Sequence, residues 1–300
     1  MGTPEFAVEG LKALVEEGKN VVAVVTMPDK PAGRGHHVQY SPVKEYALSQ
    51  GLPVLQPERL KDELFVEELR SYRADLQIVT AFRMLPEVVW SMPRLGTINV
   101  HASLLPQYRG AAPINWAIIN GEKETGLTTF MLKHEIDTGN IILQEKTHIG
   151  DGEDVGSLHG RLMAMSREMV LKTVALIEQC DAEGRALPTT PQADSEATKP
   201  APKLYKETCE IDWNRSVEEV VNLVRGLSPY PAAWTDAQHI PALRGKVEGM
   251  VKIFRATPSN TGEKKGHIVV ECADGYADIE ELQLPGKKRM DAKSLLNGIR

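Results

Sequence analysis

The chain has 300 residues, 42% of them hydrophobic and 25% charged, with a formal net charge of -6 at pH 7. That composition supports an ordinary folded core, excludes a disordered chain and argues against a general nucleic-acid coat. Three widely spaced cysteines with no CxxC (Cys180, Cys209 and Cys272) point to neither a zinc site nor a disulfide framework and fit a reducing cytosol; there is no signal-peptide pattern, and no apolar run of the ~18 residues a membrane span needs.

The first predicted element is a helix. Thr3 is placed as its N-cap and Pro4 at its first position, and the apolar spacing runs to a stop at Gly18. The valine-rich run 20–27 reads as a buried strand. A loop, PDKPAGRGHHVQY, follows, and Ser41-Pro42 restarts a helix that ends near Gly51. Next come a short strand at 53–57, a helix at 58–73, a strand at 74–82, a short helix at 85–92 and a strand at 96–103. This alternation predicts a parallel sheet with helices on both faces. Pro113 opens a further helix. Residues 125–133 and 139–149 read as a strand pair around HEIDT, and 155–180 as a long amphipathic helix.

The stretch 183–207 is proline-rich with few apolar side chains and is assigned as a linker. Beyond it lie a helix at 216–227 and short strands with turn signals, the pattern of a small antiparallel barrel. The expected organisation is a catalytic domain at 1–182, the linker, and a second domain at 208–300. Residues 201–300 carry 15 Lys and Arg against 14 Asp and Glu, so the acidity resides in the rest of the chain. The runs Lys264-Lys265 and Lys287-Lys288-Arg289 could touch a polyanion locally, although short lysine runs are also ordinary surface.

The chemistry is expected at the end of INVHAS. Ligands of open parallel sheets bind outside the carboxyl ends of the strands. Asn99 and His101 are two apart on a strand and share a face. An amide donor beside an imidazole suits acyl transfer: the amide meets a developing oxyanion and the imidazole donates to it or moves a proton. Asp137, in the turn before a strand, is the candidate carboxylate. No GxSxG elbow exists and no cysteine is near, so transfer is expected to be direct, without a covalent enzyme intermediate. An isolated Asn-x-His also occurs as a strand-end cap, and Asp before Thr-Gly as a simple turn. The glycines of PAGRG do not form GxGxxG, which leaves little for a nicotinamide reading.

Taken with their neighbours, these residues carry a resemblance. MGTPEFAV, PDKPAGRG, SPVKEYA, AFRMLPEVVW, NVHASLLPQYRGAAPINWAI, ETGLTTF, DTGNII and LPGKKRM resemble, in order and along nearly the whole chain, the blocks of the methionyl-tRNA formyltransferase family, among the enzymes that use 10-formyltetrahydrofolate. The Asn-x-His…SLLP…RGAAP…DTG core specifies the chemistry; PDKPAGRG and LPGKKRM carry the tRNA assignment. The resemblance implies a doubly wound, mostly parallel Rossmann-like sheet followed by an OB-like barrel. It implies formyl transfer from 10-formyltetrahydrofolate to the α-amino group of methionyl initiator tRNA for translation initiation. Asn99 and His101 match the oxyanion pair, and Asp137 the carboxylate. Ser103, Leu104, Leu105 and Pro106 match the folate-lining segment, and Phe82, Met84 and Leu85 are expected to wall the pteridine. Arg34 matches the loop that enters the acceptor stem, and Lys287, Lys288 and Arg289 the C-terminal tRNA contact. No metal, no membrane partner and a monomeric cytoplasmic enzyme are expected. The alternative acceptor is a sugar nucleotide or small amine.

Members of that family carry an apolar run ahead of GTPEFAV. The expectation here is that Met1 is an internal methionine, that several residues precede it, and that the strands at 20–27 and 74–82 face each other across an unfilled slot.

Overall fold

The computed structural model describes residues 1–32, 37–193, 198–262 and 265–298, so Arg34 lies outside the described residues. In chain order the elements are α1 (Glu5–Glu16), β1 (Val24–Val25), β2 (Lys30–Ala32), β3 (His37–Gln39), α2 (Pro42–Ser49), β4 (Val54–Leu55), α3 (Glu63–Ser71), β5 (Gln77–Thr80), α4 (Glu87–Trp90) and β6 (Thr97–His101). There follow β7 (Arg109–Gly110), α5 (Pro113–Ile119), β8 (Glu124–Met131), β9 (Ile141–His148), α6 (Val155–Ala182) and β10 (Pro200–Ala201). The last are α7 (Val217–Leu227), β11 (Ala233–Asp236), β12 (Met250–Ser259), β13 (Ile268–Glu271), β14 (Tyr276–Gln283), β15 (Met290–Asp291) and α8 (Ala292–Gly298).

Helix starts follow their caps. Ser41 accepts from the Lys44 N–H with Pro42 just inside the helix, as expected. Asp62 accepts from the Leu64 and Phe65 N–H groups, so α3 begins at Glu63 and not at 58. For α1 the expectation needs correction. Pro4 is extended (ψ 172°) and is itself the cap residue, and Thr3 makes no cap hydrogen bond.

The chain divides into two compact units, each assembled from separated segments. The first comprises 1–109, 126–146 and 161–199, and the second 110–125, 147–160 and 200–300. The first holds the sheet β5-β6-β8-β9. β5 and β6 are parallel with Ile78 opposite Ile98, and β6 and β8 are antiparallel with His101 opposite Thr128. The sheet is therefore mixed, where alternation of helices and strands predicted a mostly parallel one. Ile98 and Val100 pack against Ile177, Val170 and Val174 of α6. Period-two alternation turns Asn99 and His101 to the other face.

β1 pairs in parallel with β4, and Gly2 meets its far edge. Gly2 donates to Val25 O, Thr80 donates to Met1 O, and Gly2 and Thr80 form a parallel bridge. Among the described residues β1 and β5 do not pair with each other. Behind the Met1-Gly2 bridge is a cavity of about 530 Å³ whose lining includes Gly10, Leu14, Val22, Leu76 and Ile78. The run 20–27 forms only a two-residue strand, and Met1 and Gly2 occupy part of the slot expected between it and 74–82.

The second unit is built on an antiparallel sheet in the order β11-β12-β14-β13, with β15 beside β14. Register shifts at Ile253, Arg255 and Ala256 bend β12. α7, closed by a Ser216/Glu219 capping box, lays Val220, Val224 and Leu227 into a core with Val251, Ile253 and Ile279. Among the described residues no helix is long and apolar enough to cross a membrane.

Candidate active site

β6 ends at His101, and the chain turns into the segment 103–108. Three polar side chains fold this segment tightly. The Ser103 hydroxyl donates to Gln107 O at 2.6 Å. The Thr128 hydroxyl donates to Ser103 O at 2.6 Å and accepts from the Leu105 N–H at 3.1 Å. Gln144 Nε2 donates to Leu105 O and to the Thr128 hydroxyl at 2.8 and 2.9 Å. Tyr108 closes the segment in the left-handed region at φ 61°.

Tyr108 O lies 2.8 Å from His101 Nε2. A carbonyl only accepts, so Nε2 carries the hydrogen. Nδ1 is then the nitrogen that can exchange a proton, and it lies 3.8 Å from Asp137 Oδ2. Both side chains are buried. Asp137, at φ 54°, is a second left-handed residue beside the imidazole. A non-glycine residue there costs on the order of 1–2 kcal/mol, and such strain concentrates where geometry serves chemistry. Two residues along, Gly139 is required sterically, because a Cβ there would sit 1.5 Å from Met131 O.

Asn99 is half-buried on the face it shares with His101, and its amide has no hydrogen-bond partner among the described residues. An amide donor left open in this way fits an incoming carbonyl oxygen. Phe82 is half-buried and Met84 is 71% exposed, whereas Leu85 is buried in a core with Val79 and Val89. Ser103 and Leu105 are buried, and Leu104 and Pro106 are half-buried. In the second unit Lys287 and Lys288 are exposed in the turn between β14 and β15. Arg289 is engaged there: its Nε donates to Glu281 at 3.0 Å, its Nη2 makes a further ion pair with Glu281, and its guanidinium lies over the Phe254 ring.

Residues 1–174 match the family described as Formyl transferase, and residues 203–300 match Formyl transferase, C-terminal domain. The chain belongs to the formyl transferase family. Among its relatives in that family is a methionyl-tRNA formyltransferase of Bacteroides thetaiotaomicron, 55% identical over the whole of this chain and 94% of that protein. Another is a methionyl-tRNA formyltransferase of Flavobacterium johnsoniae, 50% identical over the whole of this chain and 95% of that protein. Among solved structures the chain is similar in fold to the N-formyltransferase of Helicobacter canadensis in complex with folinic acid and dTDP-3-aminofucose. That likeness has a TM-score of 0.65 at 18% identity, covering 96% of this chain and 97% of that one. It is also similar to HypX of Aquifex aeolicus in complex with tetrahydrofolic acid, with a TM-score of 0.58 at 19% identity over 85% of this chain and 44% of that one.

Several residues beside the segment that follows Asn99 and His101 escaped the sequence reading. Tyr108, Thr128 and Gln144 reach the segment from 7, 25 and 39 residues away. A period-two strand pattern shows which face a side chain takes, not which distant carbonyl it meets. Gln192 falls inside the stretch assigned as a linker, where low apolarity gave no sign of contact with the site.

Proposed function

We propose that the chain transfers the formyl group of 10-formyltetrahydrofolate to the α-amino group of methionine esterified to initiator tRNA, giving N-formylmethionyl-tRNA for translation initiation. Relatives of that name, matched along the full chain, support the acceptor. The observation that carries the chemistry is the approach of His101 Nδ1 to Asp137 Oδ2 at the strand end that also bears Asn99.

The folate supplies the formyl carbon on N10. The Asn99 amide donates to the formyl oxygen as negative charge grows on it. His101 Nε2–H is committed to Tyr108 O, so Nδ1 serves the reaction: protonated, it donates to the oxyanion, and deprotonated, it takes a proton from the attacking amine. The Asp137 carboxylate stabilises the imidazolium charge. The balance is closed: an amine–carbon bond forms, the carbon–N10 bond breaks, and the proton lost by the amine passes to N10. The segment Ser103 to Pro106 would hold the folate together with Phe82, Met84 and Leu85; of these, Phe82 and Met84 offer apolar surface for a flat heterocycle.

In this reading 1–182 is a Rossmann-like catalytic domain, 183–207 a linker and 208–300 an OB-like tRNA-binding domain. Arg34 of the first domain and Lys287, Lys288 and Arg289 of the last are the phosphate contacts. The test is formylation from 10-formyltetrahydrofolate of charged initiator tRNA, free methionine and an amino-sugar nucleotide side by side. The proposal expects charged tRNA to lead in kcat/KM by more than about 100-fold, the discrimination a built acceptor site supplies. A lead for the sugar nucleotide would reverse it.

A further inference from the structure

The segment around Gln192 is docked on the strand that carries the Asp137 turn. Ile141, at the start of β9, exchanges both backbone hydrogen bonds with Thr190 at 2.8 Å. Asn140 Nδ2 donates to the Thr189 hydroxyl at 3.2 Å. This register brings the Gln192 amide to the turn. Its Nε2 donates to Asp137 O at 2.8 Å and to Gly139 O at 2.7 Å. Its Oε1 accepts from Arg109 Nε at 3.0 Å and from Nη2 at 2.8 Å.

We infer that Gln192 is a positioning residue for formyl transfer, setting the Asp137 turn against His101. The inference rests on the function proposed above. Three features carry it. First, the two carbonyls it grips lie on either side of Thr138 and include that of the left-handed Asp137 itself, so one planar NH2 group fixes the turn that aims the carboxylate. Second, the amide has one workable orientation. Flipping it would turn its oxygen toward two carbonyls and its NH2 toward a guanidinium, replacing every attraction with a repulsion. Third, the Arg109 it holds adjoins Tyr108, whose carbonyl fixes His101 Nε2. A single side chain thus links the anchors of both members of the His101–Asp137 pair.

The Gln192 amide is engaged by Asp137, Gly139 and Arg109, so its removal acts through geometry. A displacement of about 1 Å at a reacting group costs roughly 100-fold in rate. The experiment compares the full-length protein with Gln192→Leu, which deletes every one of these hydrogen bonds, and Gln192→Glu, which keeps the acceptor for Arg109 and loses both donors. Readouts are kcat, KM for each substrate, the pH profile of kcat and the urea midpoint. The expected result for both variants is a 10- to 100-fold fall in kcat with KM changed less than about 3-fold. The pH profile of kcat also changes in Gln192→Glu, because a negative charge is then set against the Asp137 and Gly139 carbonyls beside the His101–Asp137 pair.

Wild-type kcat and profile in Gln192→Leu would overturn the inference. So would a kcat loss in both variants that only tracks a lowered urea midpoint while the pH profile stays fixed. If the wild-type protein formylates an amino-sugar nucleotide and not charged tRNA, the acceptor reading falls, and the same ratios measured with that amine still test Gln192.

Discussion

His101 Nδ1 lies 3.8 Å from Asp137 Oδ2, while the opposite edge of the ring is held by Tyr108 O at 2.8 Å. One edge of the imidazole is structural and the other faces the carboxylate. Both partners of the ring are left-handed residues, so the arrangement is held against local backbone preference. His101→Ala and Asp137→Asn are therefore expected to lower kcat by roughly 100- to 10,000-fold, the range for a positioned proton-transfer group. Circular dichroism and the urea midpoint should change little beyond about 1 kcal/mol for the lost Tyr108 contact. A His101→Ala protein that is unfolded would assign the ring to the core and not to the reaction.

Asn99 differs from His101 in having no partner to lose among the described residues. Asn99→Ala should therefore leave stability unchanged and reduce kcat by roughly 100- to 1,000-fold, the effect of removing one oxyanion donor. Asn99→Asp should be slower still, because it sets a negative charge against the developing one. Steady-state kinetics with both variants checks this, and an Asn99→Asp rate above that of Asn99→Ala would remove the oxyanion role.

Gly139 explains the last glycine of the DTG segment. A Cβ there would meet Met131 O at 1.5 Å and the Phe130 ring at 3.0 Å, and backbone of a central sheet strand cannot retreat. Gly139→Ala is expected to cost more than about 4 kcal/mol, in the exceptional class of single substitutions. Urea unfolding measures it; a midpoint equal to wild type would show that the turn can swing away from β8.

How much was legible follows from the range of each interaction. The facing of Asn99 and His101 is a property of one strand, and period-two alternation sufficed. Asp137 stood out as a polar turn residue ahead of a strand. The helix start at Ser41-Pro42 was local in the same sense. By contrast, the antiparallel direction of β8 depends on how 102–123 returns across the sheet, which no local pattern encodes. Alternation of helices and strands up to His101 therefore overstated the parallel character. Gln192 reaches Asp137 across 55 residues and Arg109 across 83, and a proline-rich polar stretch reads as a linker whether or not one of its amides is docked. In α1, Pro4 satisfied the rule for a first helical residue, yet its extended ψ made it the cap and left Thr3 outside.

Asp29 directly precedes β2. Lys44 Nζ donates to its carboxylate at 2.5 Å and Gln56 Nε2 at 2.8 Å. Chiefly through the Lys44 hydrogen bond, and then that of Gln56, its pKa is held below the ordinary carboxylate value. A depressed folded-state pKa gives stability that is present above the unfolded value and is lost as pH falls through the folded one. Asp29→Asn should therefore lower the urea midpoint at pH 7 and lose less on acidification than wild type. Parallel stability–pH curves for the two proteins would show that the pair contributes nothing.

The basic run at the end of β14 divides into two kinds of residue. Lys287 and Lys288 are exposed, and among the described residues neither ammonium has an acidic partner. Arg289 is bound to Glu281 through Nε and Nη2, and its guanidinium lies 4.5 Å from the centre of the Phe254 ring. An exposed lysine that neutralises a phosphate contributes to the salt dependence of binding, roughly 0.7–0.9 in the slope of log K against log salt per contact. An arginine already paired with a carboxylate has less charge to offer and a packing role to lose. Lys287→Ala and Lys288→Ala should each flatten that slope for charged tRNA without moving the urea midpoint. Arg289→Ala should flatten it less and destabilise the second unit by about 0.5–1 kcal/mol, the contribution of a partly exposed cation–π contact. Salt titrations of tRNA binding with the three single variants, read beside their unfolding curves, make the comparison. Equal slopes for all three would mean that Glu281 releases Arg289 to the nucleic acid, and a flattening by Arg289→Ala alone would move the phosphate contact from the lysines to the arginine.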